Sequence, residues 1–239
     1  MKIGASAYIQ DIAPTLAHCY LANPDWESES GIRNAYHERF KMLDERYGLS
    51  RMRFGGHLHD SYVLSREKTD DKYILWLNDV ATRDFAGAVC DKKGIQFNDD
   101  MEFPLGIVAS DVKHVSLCAV NKRSGRIMPC RHAKLHEYLL EEIISWDEDS
   151  VEIAFVLTGW QIHVPGRSRK EFRNAHSLLL ISCGQLSIDE KQDAAWQKYF
   201  GHDCDDYYAF FKRKRNEGVF LSDYSECCEL IDKFDTVGG

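Results

Sequence analysis

Two histidines and an aspartate fall within four positions in Gly55-Gly56-His57-Leu58-His59-Asp60-Ser61. In an extended segment alternate residues share a side, so His57 and His59 can present both imidazoles to one metal ion. Asp60 or a carboxylate from elsewhere would have to complete the shell. His57, His59 and Asp60 are therefore the candidate metal ligands, and a metal-dependent hydrolase built on them is one reading of the chain. The structural reading of the same stretch is a strand entry. Gly55 and Gly56 allow a bend there, and Asp60 and Ser61 cap backbone N–H groups.

The surrounding residues weaken the metal reading. The metallo-β-lactamase pattern HxHxDH needs aspartate and histidine at positions 61 and 62, where Ser61 and Tyr62 stand. His59-Asp60 also spells the dyad of the all-helical HD phosphohydrolases, but here period-2 strand signals follow it, and His37 upstream lies on an expected helix. His132 and His136 are spaced to chelate a metal on a helix, whereas in a strand they share a side too far apart for one ion. Glu137 follows the second histidine, so HExxH is absent. No GxSxG, GxxxxGK[ST] or GxGxxG occurs, nor any cysteine with a recognisable His and Asn context. No cofactor is expected, and the balance leans away from an enzyme.

The strongest cationic run is Lys212, Arg213, Lys214 and Arg215, beside Tyr207, Tyr208, Phe210 and Phe211. Aromatics next to cations can stack bases and hold phosphates. The helix dipole explains the same pattern, since Asp203, Asp205 and Asp206 open the helix that the four cations close. Each such charge contributes about 0.3–1 kcal/mol. Arg167, Arg169, Lys170 and Arg173 form a second basic patch, read as an exposed loop. The net charge of −8 opposes nucleic-acid binding by the whole molecule and favours a basic partner.

Elements that could position these residues follow from periodicity. A helix is expected around 15–22, with Pro14 in its first turn. A second covers 31–47, with Ile32, Tyr36, Phe40, Leu43 and Tyr47 on one stripe and Gly48 ending it. SYVLSRE and KYILWLN form a hairpin around Thr69, Asp70 and Asp71, followed by strand signals at VKHVSLCAV, VEIAFVLT, WQIHV and AHSLLLISC. KRSG at 122–125 and PGRSRK at 165–170 are turns. Residues 135–145 fit a helix or a strand; the polar tip Trp146–Ser150 favours a hairpin with VEIAFVLT. Ser187 to Glu190 reads as a capping box opening a helix to Phe200. Helices are then expected from Asp203 to Asn216 and from Ser222 to Phe234.

The result is an α+β fold with a central antiparallel sheet between N-terminal and C-terminal helices. Three segments are expected to form one compact unit: 1–55 helical, 56–186 β-rich and 187–239 helical. At 239 residues and 44% hydrophobic, the chain can bury a sizeable core. No run is apolar enough to span a membrane. The start of the chain lacks a secretory h-region, so the eight cysteines, none in CxxC, are expected as reduced thiols in the cytoplasm.

The run LHDSYVLSREKTDDKYILWLND resembles a hairpin of uncharacterised bacterial proteins grouped as domains of unknown function. In them a His-Asp-Ser or His-Asp-Cys turn opens a strand. YLLEEIIS with VEIAFVLT is similar to a second hairpin of such proteins, and this tips 135–145 toward strand. The resemblance spans about 57–165 and implies a bacterial cytosolic origin but no activity. The preferred reading is a non-catalytic binding or protein-interaction module, a class that includes the toxin-neutralising kind, with an unidentified protein partner and no membrane.

Overall fold

The computed structural model describes residues 7–20, 30–49, 58–168, 175–219, 221 and 223–238. Its sheet has seven antiparallel strands: β1 (Tyr62–Lys68), β2 (Lys72–Asn78), β3 (Pro104–Val120), β4 (Ile127–Pro129), β5 (His132–Trp146), β6 (Val151–His163) and β7 (His176–Glu190). The order is β2-β1-β5-β6-β7-β3-β4, and β2 also pairs with β3, from Lys72↔Ser110 to Asn78↔Pro104. Six strands therefore close on themselves, and β4 lies against the far half of β3.

Closure follows from which side chains alternate inward. Tyr73, Leu75 and Leu77 of β2 pack with Leu105, Ile107 and Ala109 of β3. Ile153, Phe155 and Leu157 of β6 and Leu179 and Ile181 of β7 complete the same buried cluster. Burying each such side chain is worth about 1.5–3 kcal/mol, so the two-sided apolar strands are satisfied only when the sheet curls round them. Residues 135–145 are strand, joined to β6 across the exposed tip at 147–149. VEIAFVLT and WQIHV, expected as separate strands, are one continuous β6.

The capping-box expectation at Ser187–Glu190 is overturned. These residues end β7 and pair with Leu105–Val108, and the helix α5 begins at Gln192. Leu186 is buried and Ile188 packs on the core, so pairing with β3 outweighs the local helix-start signal.

Helices cover the sheet at both ends of the chain. α1 (Ile9–Ile12) and α2 (Pro14–Tyr20) lay Ile9, Ile12 and Leu16 on Cys118, Val120, Ala154, Val156, Leu178 and Leu180. The buried Glu142 of β5 anchors α2 by accepting the Leu16 N–H at 3.0 Å, and Arg39 reaches its other oxygen at 3.4 Å. Burial pushes the Glu142 carboxyl up, opposed by hydrogen bonds from Leu16 and Thr15 and by the Arg39 charge. Arg39 lies on α3 (Ser30–Tyr47), which ends at Gly48 with φ +63°, a left-handed conformation that glycine takes without strain. Of the expected stripe on α3, Leu43 is buried and Tyr47 donates to the Gly184 carbonyl at 3.1 Å. The side chains of Ile32, Tyr36, His37 and Phe40 lie outside the described ones.

A second core is helical. α4 (Val80–Lys93), a stretch given no element from sequence, packs with α5 (Gln192–Phe200), α6 (Asp205–Asn216) and α7 (Tyr224–Gly238). Trp196 stacks on Tyr208 at 4.5 Å and Phe85 on Phe211 at 4.4 Å. The seven described cysteines are free thiols.

Candidate interaction face

Leu58 is buried and anchors the turn that carries His59 and Asp60 into β1. Asp60 takes a positive φ of 64°, which aspartate tolerates better than most residues. The Asp60 N–H donates to the Tyr138 carbonyl and the Tyr138 N–H to the Ser61 carbonyl, each at 2.9 Å. Ser61 is fully buried, and its Oγ accepts the N–H of Val80, the first residue of α4, at 3.2 Å. His59 Nδ1 lies 3.0 Å from Asp60 Oδ1, both groups exposed. His57 lies outside the described residues. Among the described residues no three His, Cys, Asp or Glu side chains converge as metal ligands. What the turn does with its described atoms is tie β1, β5 and the start of α4 together.

The turn also delivers Tyr62 to the outer face of the sheet. Tyr62 pairs with Glu137 of β5, and Lys134 of β5 pairs with Trp160 of β6. Three rings from three strands therefore meet. His136 sits with its centroid 5.1 Å from Tyr62, edge-on at 63°, and 4.4 Å from Trp160. Lys134 Nζ lies 5.7 Å from the Trp160 ring. His136 Nδ1 is 3.5 Å from Glu137 Oε1, and the Thr158 hydroxyl donates to Glu137 Oε2 at 3.3 Å, fixing that carboxylate beside the rings.

Alternation along β6 explains why these rings stay uncovered. Ala154, Val156, Thr158 and Trp160 share one face. α1 and α2 cover Ala154 and Val156, whereas Trp160 keeps 45% of its surface exposed and Tyr62 keeps 40%. Clustered exposed aromatics with a cation beside them are the residue types that dominate binding surfaces. His132 lies on the same strand about 13 Å from His136, so in the extended segment the two do not share one ion, as expected for a strand.

Elsewhere on the sheet, His114 Nε2 is 2.6 Å from Ser116 Oγ, the unit of a base and a nucleophile. Ser145 donates to Glu152 at 2.9 Å nearby. The cavity that His114 and Glu152 line with Ile144, Leu180 and Ser182 holds only about 10 Å³, room for a single water.

The basic run of α6 is spent on protein partners. Lys212 meets Asp193 at 2.8 Å, Lys214 meets Glu217 at 2.6 Å, and Arg213 lies over Phe210. Arg215 reaches past the helix end to the fully buried Asp79 at 2.6 Å. It also meets Thr82 Oγ1 at 3.2 Å. Of Tyr207, Phe210 and Phe211, whose spacing makes one stripe, Tyr207 and Phe211 are buried and Phe210 is half-buried. In the second patch Arg167 is exposed, while Arg169, Lys170 and Arg173 lie outside the described residues.

No protein-family model, curated protein or solved structure matches the chain.

Of the face's residues sequence reasoning singled out only His136, as a chelating candidate with His132, and not Tyr62 or Trp160 as binding residues. Its signals were Tyr62 directly after GGHLHDS and Trp160 inside a strand, but which rings stay exposed depends on where α1 and α2 end.

Proposed function

We propose that the protein is a non-catalytic binding module that docks a protein partner through Tyr62, His136 and Trp160. The observation that carries this reading is the exposed three-ring cluster, held in register by three strands and left uncovered by the N-terminal helices. Burying each ring against a partner would gain about 1.5–3 kcal/mol, and the rigid strand backbone keeps the ordering cost low. The pairing of Lys212, Lys214 and Arg215 within the chain argues against a phosphate-backbone role for them. No helix among the described residues is long and apolar enough to cross a membrane. Docking in the bacterial cytoplasm, including neutralisation of a toxin, belongs to this reading.

The discriminating experiment is to purify the tagged chain gently from its own cells and to measure its mass in solution and its zinc content. The reading expects one stoichiometric protein partner, lost on Tyr62→Ala/Trp160→Ala substitution with the far-UV spectrum unchanged. A monomer carrying about one zinc that is lost in His57→Ala/His59→Ala would instead establish the metal-dependent hydrolase reading.

A further inference from the structure

The ring of strands is weakest at the seam between β1 and β5. β3 pairs with β7 along almost its whole length, and β5 with β6 from His132 to Trp146. β1 meets β5 at a single pair, Tyr62↔Glu137. Beyond it, Val63 to Lys68 pair only with β2, and His132 to Leu135 pair only with β6, among the described residues. Each strand thus turns one edge of amides and carbonyls toward the space between them, the condition under which a further strand can add.

Charge marks what would fit. Arg66 and Lys68 are exposed on β1, and Arg131, His132 and Lys134 are exposed on the opposite wall. The Arg66 charge opposes the upward push of burial at the Tyr73 hydroxyl on the neighbouring β2 and at the Cys130 thiol just before β5. The neighbouring carboxylate of Glu67 is turned away and accepts from Trp76 Nε1 at 2.7 Å. In a chain of net charge −8, this grouping of cations is local and not a consequence of composition.

We infer that the seam takes an extended acidic peptide segment of the partner, which adds as a strand to the edge of β1 while the Tyr62–His136–Trp160 cluster closes one end. This rests on the binding reading above and names the chemistry of the partner. Backbone pairing to β1 supplies affinity, and carboxylates at alternate positions of the incoming strand meet Arg66 and Lys68, which pair with Leu75 and Tyr73 and so share one face of the sheet.

The test uses a fluorescein-labelled peptide of about eight residues, the length of an ordinary strand, with Glu and Val alternating. Two controls accompany it: the Lys/Val counterpart, and the Glu/Val peptide with a central proline that cannot continue a ladder. Fluorescence anisotropy should show the Glu/Val peptide binding at least about tenfold more tightly than either control. Arg66→Gln/Lys68→Gln should weaken it by about tenfold with the far-UV spectrum unchanged, whereas Lys134→Gln, whose side chain lies with Trp160 on the other face, should leave it within about twofold. Amide exchange from Val63 to Lys68 should slow on saturation. Equal affinity for the proline peptide, or binding without protection of β1, would overturn strand addition, as would no binding at all. Capture of a partner at Trp160 alongside any of those failures would leave the docking face standing and remove only the inserted strand.

Discussion

Replacing Arg215 with methionine separates a buried structural cation from a run of surface charge. The Asp79 side chain is fully buried and that of Arg215 is 12% exposed. Asp79 Oδ2 accepts from Thr82 Oγ1 at 2.5 Å, from Gln192 Nε2 at 3.2 Å and from Arg215 Nη1 at 2.6 Å, while Oδ1 has no partner among the described residues. Without the guanidinium, two neutral donors would remain to hold a carboxylate in a dry site. Breaking a buried pair in this way costs about 3–5 kcal/mol. That is several times the ~0.3–1 kcal/mol that a helix-end charge contributes through the dipole. With a urea slope of about 3 kcal/mol/M, near the top of the usual range, the unfolding midpoint should fall by about 1–1.7 M. Lys212→Gln removes a largely exposed pair with Asp193 and should cost only about 0.2–1 kcal/mol. The double variant Asp79→Asn/Arg215→Met should recover most of the loss, because it removes the stranded charge. Equal midpoints for Arg215→Met and Lys212→Gln would refute the argument.

Gly106 faces Trp76 across β3 and β2, where a Cβ would meet the indole Cζ3 at 2.7 Å; Gly106→Ala should therefore destabilise by about 1–3 kcal/mol in urea unfolding. Burial, aided by the Lys122 charge, lowers the His176 pKa to about 4. The unfolded chain then binds the extra proton between that value and about 6.5, so this group's contribution to stability grows as pH rises through the window and is lost as pH falls. The wild-type minus His176→Asn difference in unfolding free energy should follow that slope, and a flat difference would contradict it. Burial pushes the thiols of Cys118, Cys183 and Cys227 up to about 12, so mass-spectrometric alkylation should leave these three unmodified in the native protein and label them once it is denatured.

The strands announced themselves in the sequence where alternation was strong, as in KYILWLN and VEIAFVLT, and the hairpin of β5 with β6 was legible from its polar tip. Ser187–Glu190 misled because a capping box is a local signal, while the partner that fixes those residues, Leu105–Val108, lies about eighty residues away. α4 was readable in hindsight from Ala81, Phe85 and Ala88 at helical spacing and from Gly94, whose φ of +67° closes it. Closure of the sheet was not legible, because it depends on β2 choosing β3 as a second neighbour. The sequence pointed to GGHLHDS for its histidines. In the structure its described residues act through backbone hydrogen bonds and through the tyrosine that follows, and a ring cluster drawn from three strands leaves no motif in any one of them.

The measurement that bears most directly on the docking face is site-specific photo-crosslinking inside the source cells. A photoreactive phenylalanine would replace Trp160, and in a control chain Ile95, which is about as exposed at 40% but follows α4 instead of lying on the strands that carry the rings. The account predicts one discrete crosslinked protein from position 160, absent from position 95 and lost when Tyr62→Ala is added. Equal crosslinking from the two positions, or none from position 160, would contradict it.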